Sequence, residues 1–288
     1  MGVPTVSVVT PSFNQGKFIE RTVRSVLGQG HPRLQYVVMD GGSTDNTLNV
    51  LRPYIQRFHH FLSQPDAGQA DAIARGFDQT SGDIMAYLNS DDLLAPGALH
   101  FVATYFEQHP EVDFIYSHRC IIDADDRVVG YWLLPPHLNW LMRRWDLIPQ
   151  ETCFWRRRLF EAVGNVDSSY RFAMDYDLFV RMMARGKFQR VNRVLAAFRQ
   201  HGSSKTSQQY TTVGAKEVQS IREKYVITVH PRDEFLHTWF WLLVEHAGQR
   251  LANSEKSLPG TFRGLGYSYD EVWGGWLSGS QRPGANDK

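Results

Sequence analysis

The sequence predicts an α/β fold built on a mostly parallel central sheet with helices on both faces. Four strand-loop-helix units follow one another in a stretch of about 100 residues near the start of the chain. In each unit a short apolar run of strand length ends in polar or turn-forming residues before a helical pattern begins. Strands that alternate with helices pair in parallel through right-handed crossovers. The four polar loops are therefore expected along one edge of the sheet, where open α/β sheets bind ligands.

The first two units have the same order of elements. Residues 6–9 form the first predicted strand and residues 10–14 its loop, and residues 34–39 and 40–45 repeat that order. The second loop offers three good helix N-caps, and capping is the structural alternative for Ser43, Thr44 and Asp45.

The third strand, at residues 61–63, leads into a loop that contains Asp66. The fourth, at 84–88, is uniformly apolar, as expected of a strand with both faces covered, and four polar residues follow it: Asn89, Ser90, Asp91 and Asp92. Adjacent carboxylates repel each other unless a cation is supplied, and ions such as Mg²⁺ bind one or two carboxylates together with water and phosphate oxygens. The pattern indicates a metal site, and a solvated turn that caps the next helix is the alternative.

Composition narrows the class of protein. The chain has 288 residues, of which 42% are hydrophobic and 21% charged, which is typical of a globular protein with about two domains or one elaborated domain. Its formal charge of +1 gives no overall attraction to nucleic acid. We expect no secretory leader, no membrane-spanning helix and no zinc site, since the two cysteines lie far apart. The sequence contains no G-x-G-x-x-G or Walker A pattern, which disfavours dinucleotide oxidoreductases and P-loop enzymes.

After the fourth unit the pattern changes. Two strands are predicted at 113–122 and 127–132, forming a hairpin that begins a second half of the domain. Two stretches rich in tryptophan and arginine follow, at 140–145 and 154–158. Such residues hold phosphates or stack on bases and sugars, and a helix face with solvated arginines is the alternative.

Three further features lie toward the C-terminus. A helix is predicted at 174–182, with Asp175 and Asp177 at its start, where exposed amides favour carboxylates; N-capping is the alternative to a chemical role. His201 follows a predicted strand and by itself reads as a surface histidine. An amphipathic helix at 234–251 is expected to pack on the rest of the protein or on a second copy in a homodimer, with a peripheral membrane seat as the alternative; its predicted apolar face contains Phe235, Leu236, Trp239, Phe240, Leu243, Val244 and Ala247.

Taken together, the segments 7–14, 40–47, 64–76 and 87–92 resemble the family 2 glycosyltransferases of the GT-A fold. The resemblance extends over residues 4–205. It implies a Rossmann-like sheet and three regions: a nucleotide-sugar (donor) half at 1–110, an acceptor-binding and catalytic-base half at 111–206, and a C-terminal helical extension at 207–288.

The resemblance also implies roles for particular residues. Asp175 matches the catalytic base, Asp91 the metal-binding aspartate, and His201 a histidine that approaches the metal or the donor phosphates. The implied cofactor is Mn²⁺ or Mg²⁺. The implied donor-binding residues are Pro11, Ser12, Phe13, Asn14, Asp40, Asp45, Asp66, Asn89, Ser90 and Asp92.

Two positions depart from the family pattern. Asn89 replaces the first aspartate of the D-x-D motif, and Gly41 replaces one aspartate of the usual Asp-Asp-Gly-Ser loop. The first change keeps hydrogen bonding but removes a charge. The second removes a carboxylate often associated with base recognition, so the identity of the nucleotide base is not predicted.

The implied function is the transfer of a sugar from a nucleoside-diphosphate sugar to a hydroxyl of a saccharide or lipid-linked saccharide, with inversion, in polysaccharide or glycolipid biosynthesis. A non-catalytic nucleotide-sugar-binding or scaffold protein is the alternative, because Asn89 and Gly41 both dilute the acidic site. A sugar nucleotidyltransferase fits less well, since residues 10–17 lack the Gly-rich basic loop usual in that class. We expect a cytoplasmic location, with the inner face of the cell membrane as the alternative.

Overall fold

A computed structural model describes residues 2–202 and 210–252 of the chain. Its sheet has nine strands in the order β3-β2-β1-β4-β8-β6-β9-β5, with β7 paired to β6. The strands are β1 (Val6–Ser12), β2 (Leu34–Asp40), β3 (His60–Ser63), β4 (Ile84–Tyr87), β5 (Leu93–Leu94), β6 (Phe114–Ile122), β7 (Val128–Trp132), β8 (Phe154–Arg156) and β9 (Phe188–Arg199). The α-helices are α1 (Ile19–Leu27), α2 (Thr47–Leu51), α3 (Gln69–Asp78), α4 (Ala98–Gln108), α5 (Asn139–Trp145), α6 (Arg157–Val163), α7 (Met174–Met183), α8 (Ala215–Lys224) and α9 (Pro231–Ala252).

The N-terminal half of the sheet is parallel, as the repeated strand-helix units predict. β1 pairs in parallel with β2 and β4, and β2 pairs in parallel with β3. All seven residues of β1 are buried, because helices cover both faces of the sheet. Val8 belongs to the core that contains α1 and α4, whereas Val9 belongs to the core that contains α3 and α7. The loops after β1, β2 and β4 consequently lie at one edge.

The second half joins the first through antiparallel pairs. β8 pairs antiparallel with both β4 and β6, and β5 pairs antiparallel with β9. The predicted hairpin is confirmed as β6 and β7, each within one residue of its expected bounds. The α/β fold class is therefore confirmed, and every antiparallel pair involves at least one strand of the second half.

Helix α9 packs closely on β7. A Cβ at Gly248 would collide with the carbonyl oxygen of Tyr131, so glycine permits this approach. The buried or half-buried face of the helix contains Trp241, Val244 and Gly248, whereas four residues of the predicted apolar face are exposed: Phe235, Leu236, Trp239 and Leu243. Those four residues therefore do not pack on the rest of the chain, because the contact with β7 uses a different side of the helix, and their packing on a second copy or a membrane stays a prediction. Among the described residues, no helix is long and apolar enough to cross a membrane. The part of the predicted extension after residue 252 lies outside the described residues.

Candidate functional site

A cavity of ≈ 1090 Å³ opens where β1 and β4 end and continues to the second half of the domain. Nine of the residues singled out from the sequence line it: Pro11, Ser12, Phe13, Asp66, Asn89, Ser90, Asp91, Asp92 and Asp175. The topology thus brings the polar end of β4 and the start of α7 to a single space, although they are far apart in sequence.

Asn89 is held by hydrogen bonds from both ends of its amide. Its Nδ2 donates to Gln150 Oε1 at 3.3 Å and to Asp92 Oδ2 at 3.4 Å, and its Oδ1 accepts from Gln69 Nε2 at 2.7 Å. Gln150 is itself fixed, since its Nε2 donates to the carbonyl of Tyr87 at 2.8 Å. An ionised aspartate at position 89 has no proton to donate to Asp92. The asparagine therefore supplies donors in this loop that an ionised aspartate lacks, in addition to removing a charge.

Asp92 is buried, and its Oδ1 accepts a hydrogen bond from the backbone N–H of Arg199 at 2.9 Å. Burial raises the pKa of Asp92 well above its usual range, and the nearby carboxylates of Asp91 and Glu151 act in the same direction. This residue fastens the loop after β4 to the end of β9.

Asp91 lines the cavity and pairs with His201, which lies behind it and does not line the cavity. His201 Nε2 lies 3.0 Å from Asp91 Oδ2, and the imidazole packs against Phe18 with ring centroids 4.6 Å apart. The Asp91 side chain keeps 18% exposure, whereas that of His201 keeps 5%. Within residues 2–202 and 210–252, no three His, Cys, Asp or Glu side chains gather as a closed metal site. A carboxylate and an imidazole would leave positions for phosphate oxygens and water, and this donor set suits Mn²⁺ better than Mg²⁺, whose usual ligands are oxygens. The donor set fits such an ion.

Three predicted donor-binding residues do not line the cavity, because their polar atoms hold the loops. Asp40 is buried and accepts hydrogen bonds from Ser43 N at 3.0 Å and Ser63 Oγ at 2.7 Å. Asn14 Oδ1 accepts from Thr44 N at 2.9 Å, and Asp45 Oδ2 accepts from Gly16 N at 2.9 Å. These contacts join the loops after β1 and β2, so the structure gives Asn14, Asp40 and Asp45 a loop-shaping role, and their contact with a donor stays a prediction.

Gly41 and Asp66 share one space at the cavity wall. A Cβ built on Gly41 would lie 2.8 Å from Asp66 Oδ2. Burial raises the pKa of Asp66, although the hydrogen bond from the backbone N–H of Gly68 acts to lower it. The carboxylate that the family pattern places in the loop after β2 is absent here, and Asp66 occupies the adjoining volume.

Asp175 lies in the first turn of α7, half-buried in the cavity wall. Its Oδ1 accepts a hydrogen bond from Tyr176 N at 2.9 Å. Burial raises the pKa of Asp175 to about 6, while that hydrogen bond and the Arg119 guanidinium act to lower it. Neither aspartate is the N-cap of α7, which is Ala173; Asp177 instead pairs with Arg181 at 2.8 Å. The capping alternative is therefore wrong for both.

The start of α7 is capped from α8. The carboxylate of Glu217 accepts hydrogen bonds from the backbone N–H groups of Arg171, Phe172 and Ala173 at 2.8, 2.8 and 2.9 Å. Ala173 is the N-cap of α7, and Arg171 and Phe172 form the turn that leads into it. Glu217 thereby fixes the turn that carries Asp175.

Four charged cavity residues escaped the sequence analysis: Arg119, Asp146, Glu151 and Arg222. Arg119 binds Glu151 through two hydrogen bonds of 2.7 Å. Asp146 follows α5 in a left-handed conformation with φ 48°. Asp146 is exposed to the cavity. The limited hydration of the cavity and the Asp175 carboxylate raise the pKa of Asp146, whereas the guanidiniums of Arg222 and Arg119 act to lower it. No motif marks these residues, since they come together only through the sheet.

The two stretches rich in tryptophan and arginine have different positions. Trp145 lines the cavity, whereas Arg156 donates to the carbonyls of Val112 and Phe106 at 2.7 and 2.6 Å. Arg157 likewise donates to the Gly82 carbonyl at 2.8 Å. The second stretch therefore serves the fold rather than phosphate binding.

A sheet of this order, with acidic loops at its edge and an aspartate facing them from α7, defines a GT-A-type glycosyltransferase. The chain belongs to glycosyl transferase family 2, whose family model matches residues 7–163, more than half of its length.

Known proteins are similar over different parts of the chain. The chondroitin synthase of Escherichia coli is 28% identical over 201 residues, which are 67% of this chain and 28% of that protein. S. aureus TarS 1-349, solved in complex with UDP-GlcNAc, has a TM-score of 0.60 at 18% identity, covering 72% of this chain and 61% of that one. The mannosyltransferase PcManGT of Pyrobaculum calidifontis, solved with GDP-Man and Mn²⁺, has a TM-score of 0.60 at 17% identity, covering 90% and 77%. At these identities the solved structures show the fold.

Proposed function

We propose that this protein transfers a sugar from a nucleoside-diphosphate sugar to an acceptor hydroxyl with inversion, in the biosynthesis of a polysaccharide or glycolipid. One observation carries the proposal: Asp91, paired with His201, and Asp175 line a single cavity. Two separated acidic groups serve the two ends of a displacement, the leaving diphosphate and the attacking hydroxyl.

Asp91 and His201 are the residues that would hold Mn²⁺ or Mg²⁺ at the donor end. When bound, the ion supplies Lewis-acid stabilisation of the negative charge on the leaving diphosphate. Asp92 and Asn89 keep the Asp91 loop in place through the contacts described above. Support for this cofactor comes from PcManGT, which was solved with Mn²⁺.

Asp175 is the general base of the proposed reaction. With a pKa of about 6, its carboxylate is largely ionised at neutral pH and able to accept the proton of the acceptor hydroxyl. The acceptor oxygen forms a bond to the anomeric carbon while the bond from that carbon to the diphosphate oxygen breaks. The nucleoside diphosphate leaves with the bonding electron pair, and the proton remains on Asp175. A single displacement inverts the anomeric centre without an enzyme nucleophile.

The donor is a nucleotide sugar of unassigned base. The named relatives support two classes, since TarS was solved with UDP-GlcNAc and PcManGT with GDP-Man. The cavity wall formed by Gly41 and Asp66 is the proposed contact for the nucleotide base. Because glycine has no side chain, recognition of the base by this wall depends on Asp66.

The exposed face of α9 supports a contact with a membrane surface or with a second copy of the chain. Its large apolar side chains are those of Phe235, Leu236, Trp239, Leu242 and Leu243. Cosedimentation with liposomes tests the membrane contact, and equilibrium sedimentation tests the contact with a second copy. A negative result in both would mean that neither contact forms.

Thermal unfolding with a panel of nucleotides tests the donor site. UDP, GDP, dTDP and CDP are each added with Mn²⁺ or with EDTA to the wild type, to Asp91→Ala and to Glu107→Ala, an exposed control on α4. A ligand present at 100 times its Kd stabilises the folded state by about 2.7 kcal/mol. We expect a metal-dependent rise for one nucleotide, lost in Asp91→Ala and kept in Glu107→Ala. No rise with any nucleotide would contradict the donor-site assignment.

Turnover separates the enzyme from the alternative scaffold protein. The purified chain is incubated with the matching nucleotide sugar, and the released nucleoside diphosphate is measured. This release reports transfer of the sugar to an acceptor or to water. Binding without any release would favour a non-catalytic nucleotide-sugar-binding protein.

A further inference from the structure

The guanidinium of Arg119 keeps one nitrogen available to the cavity. Arg119 lies in β6, its side chain is 11% exposed, and it lines the cavity. Its Nε and Nη2 donate to the two carboxylate oxygens of Glu151, each at 2.7 Å. Among the residues that the structure describes, no hydrogen bond or ion pair engages Nη1, and Nη1 is open to the cavity. The two N–H groups of Nη1 can therefore donate to a ligand.

The neighbouring strands hold this guanidinium in place. The ring centre of Trp132, from β7, lies 4.2 Å from its central carbon, and that of Phe198, from β9, lies 4.6 Å away. Both strands pair with β6. Glu151, with a side chain only 2% exposed, fixes the orientation of the guanidinium through its two hydrogen bonds. A side chain restrained in this way loses little freedom when a ligand binds, so its free N–H groups are directed donors.

Arg119 lies near both ends of the proposed reaction. Its partner Glu151 follows Gln150, which accepts a hydrogen bond of 3.3 Å from Asn89 in the loop after β4. Toward the other end, the positive charge of Arg119 acts to lower the pKa of Asp175, as expected of a guanidinium close to that carboxylate. The transferred sugar has to lie between the metal-bound diphosphate and the acceptor hydroxyl, so Nη1 is placed to meet it.

The pairing with Glu151 determines which ligand group suits Arg119. The negative charge of Glu151 compensates the guanidinium, and Asp175 lines the same space as a second acidic group. A phosphate at Nη1 would meet two carboxylates against one cation. A neutral oxygen, such as that of a ring hydroxyl or an acetamido carbonyl, accepts the same hydrogen bond without this repulsion.

We propose that Arg119 is a specificity-determining residue for the transferred sugar: its Nη1 donates to a neutral oxygen of the sugar unit and not to the diphosphate. The inference rests on the proposed function, because it places the sugar of the bound donor between Asp91 and Asp175. It adds the residue by which the site distinguishes a nucleotide sugar from the bare nucleotide.

Isothermal titration with pairs of nucleotide and nucleotide sugar tests this assignment. The ligands, each with Mn²⁺, are UDP, UDP-glucose, UDP-N-acetylglucosamine, GDP and GDP-mannose. The proteins are the wild type, Arg119→Lys and the control Arg127→Lys, whose arginine is exposed on the same hairpin and does not line the cavity. Lysine keeps the charge but not the directed N–H groups. In Arg119→Lys we expect roughly tenfold weaker binding of the matching nucleotide sugar and a change of less than about twofold for its bare nucleotide. Arg127→Lys should change neither.

Glu151→Gln tests the part played by the ion pair. Glutamine keeps a carbonyl that accepts a hydrogen bond from Arg119 but removes the negative charge, so the guanidinium attracts a diphosphate more strongly. We expect the bare nucleotide to bind several-fold more tightly than to the wild type. The same titrations measure this affinity.

Each variant is first checked for a cooperative unfolding transition. If Arg119→Lys fails that check, Arg119→Gln combined with Glu151→Gln replaces it, since this pair leaves no buried charge without a partner. Equal weakening of nucleotide and nucleotide sugar, or no weakening of either, overturns the assignment, as does an unchanged nucleotide affinity in Glu151→Gln. A wild type that binds none of the five compounds contradicts the proposed function, and the role of Arg119 is rejected with it.

Discussion

Arg199 Nε donates a hydrogen bond of 2.7 Å to the carbonyl oxygen of Asp91. The same guanidinium donates from Nη1 to the carbonyl of Asp123 at 3.0 Å and lies against Asp126 at 2.5 Å. Arg199 is 1% exposed, and its backbone N–H holds Asp92. One buried arginine thus connects the loop that carries Asp91 to the turn between β6 and β7. This arginine stands two residues before His201 on the chain.

Arg199→Lys is expected to disturb the Asp91 loop, because lysine cannot reproduce three directed contacts of a guanidinium. Lysine keeps the positive charge but leaves at least one of the backbone carbonyls of Asp91 and Asp123 without its donor, and a buried acceptor left without a partner costs about 1–3 kcal/mol. We expect a lower melting temperature and a metal-dependent nucleotide affinity weakened at least about tenfold. Isothermal titration measures the affinity. Arg193→Lys, on the same strand, is the matched control. Equal losses of nucleotide affinity in both variants would mean that the substitutions disturb β9 in general and that Arg199 has no specific role in holding the Asp91 loop.

Asp175→Asn removes the proposed base with little change in volume. We expect the rate of transfer to fall by about 10²–10⁴, since that is the usual contribution of a positioned general base. Nucleotide affinity should stay near that of the wild type, because the donor end of the cavity is unchanged. Initial rates and isothermal titration measure the two quantities. If both fall together, Asp175 is structural.

The dependence of the rate on pH follows from the raised pKa of Asp175. A base is active when deprotonated, so kcat/KM should rise with pH through about 6 and level off above it. Initial rates between pH 4.5 and 7.5 at saturating metal, with circular dichroism at each pH as the control for folding, measure this limb. A rate that is flat across this interval in a folded protein would argue against Asp175 as base.

Glu217→Gln tests whether the cap on α7 positions Asp175. Glutamine keeps one carbonyl acceptor but loses the charge and the second oxygen, which together serve three amides. A lost hydrogen bond of this kind costs about 1–3 kcal/mol. We expect kcat to fall several-fold with little change in nucleotide affinity. We also expect the rise of kcat/KM with pH to occur at a different pH from that of the wild type. Glu223→Gln, exposed on the same helix, should change neither, and an unaltered kcat in Glu217→Gln would show that the cap serves stability alone.

Long-range contacts explain which elements the sequence predicted well. Strands β1, β2 and β4 follow from apolar runs of ordinary length, and β6 and β7 were placed within one residue. β5 and β8 have two and three residues and were not predicted, because runs that short carry no periodicity and exist only through pairing with β9, β4 and β6. The side of α9 that meets β7 was not predicted, because hydrophobicity alone does not show which of several apolar residues make that contact.

The site shows the same division. The polar residues after β4 could be found because strand ends concentrate polar side chains in a parallel sheet. Arg119, Asp146 and Glu151 could not, since each stands in an unremarkable local pattern and gains its neighbours through the packing of β6, α5 and the turn at Gln150–Thr152.

By itself the sequence determined the α/β class, the edge of the sheet at which the polar loops meet, and the resemblance that singled out Asp91, Asp175 and His201. These depend on local periodicity and on spaced motifs, which are written along the chain. Only the tertiary structure decided that His201 reaches Asp91, that Asp40 and Asp45 turn into their own loops, and that α8 and α9 complete the far half of the cavity. Those outcomes depend on distances between residues remote in sequence, which are set by how the strands and helices pack.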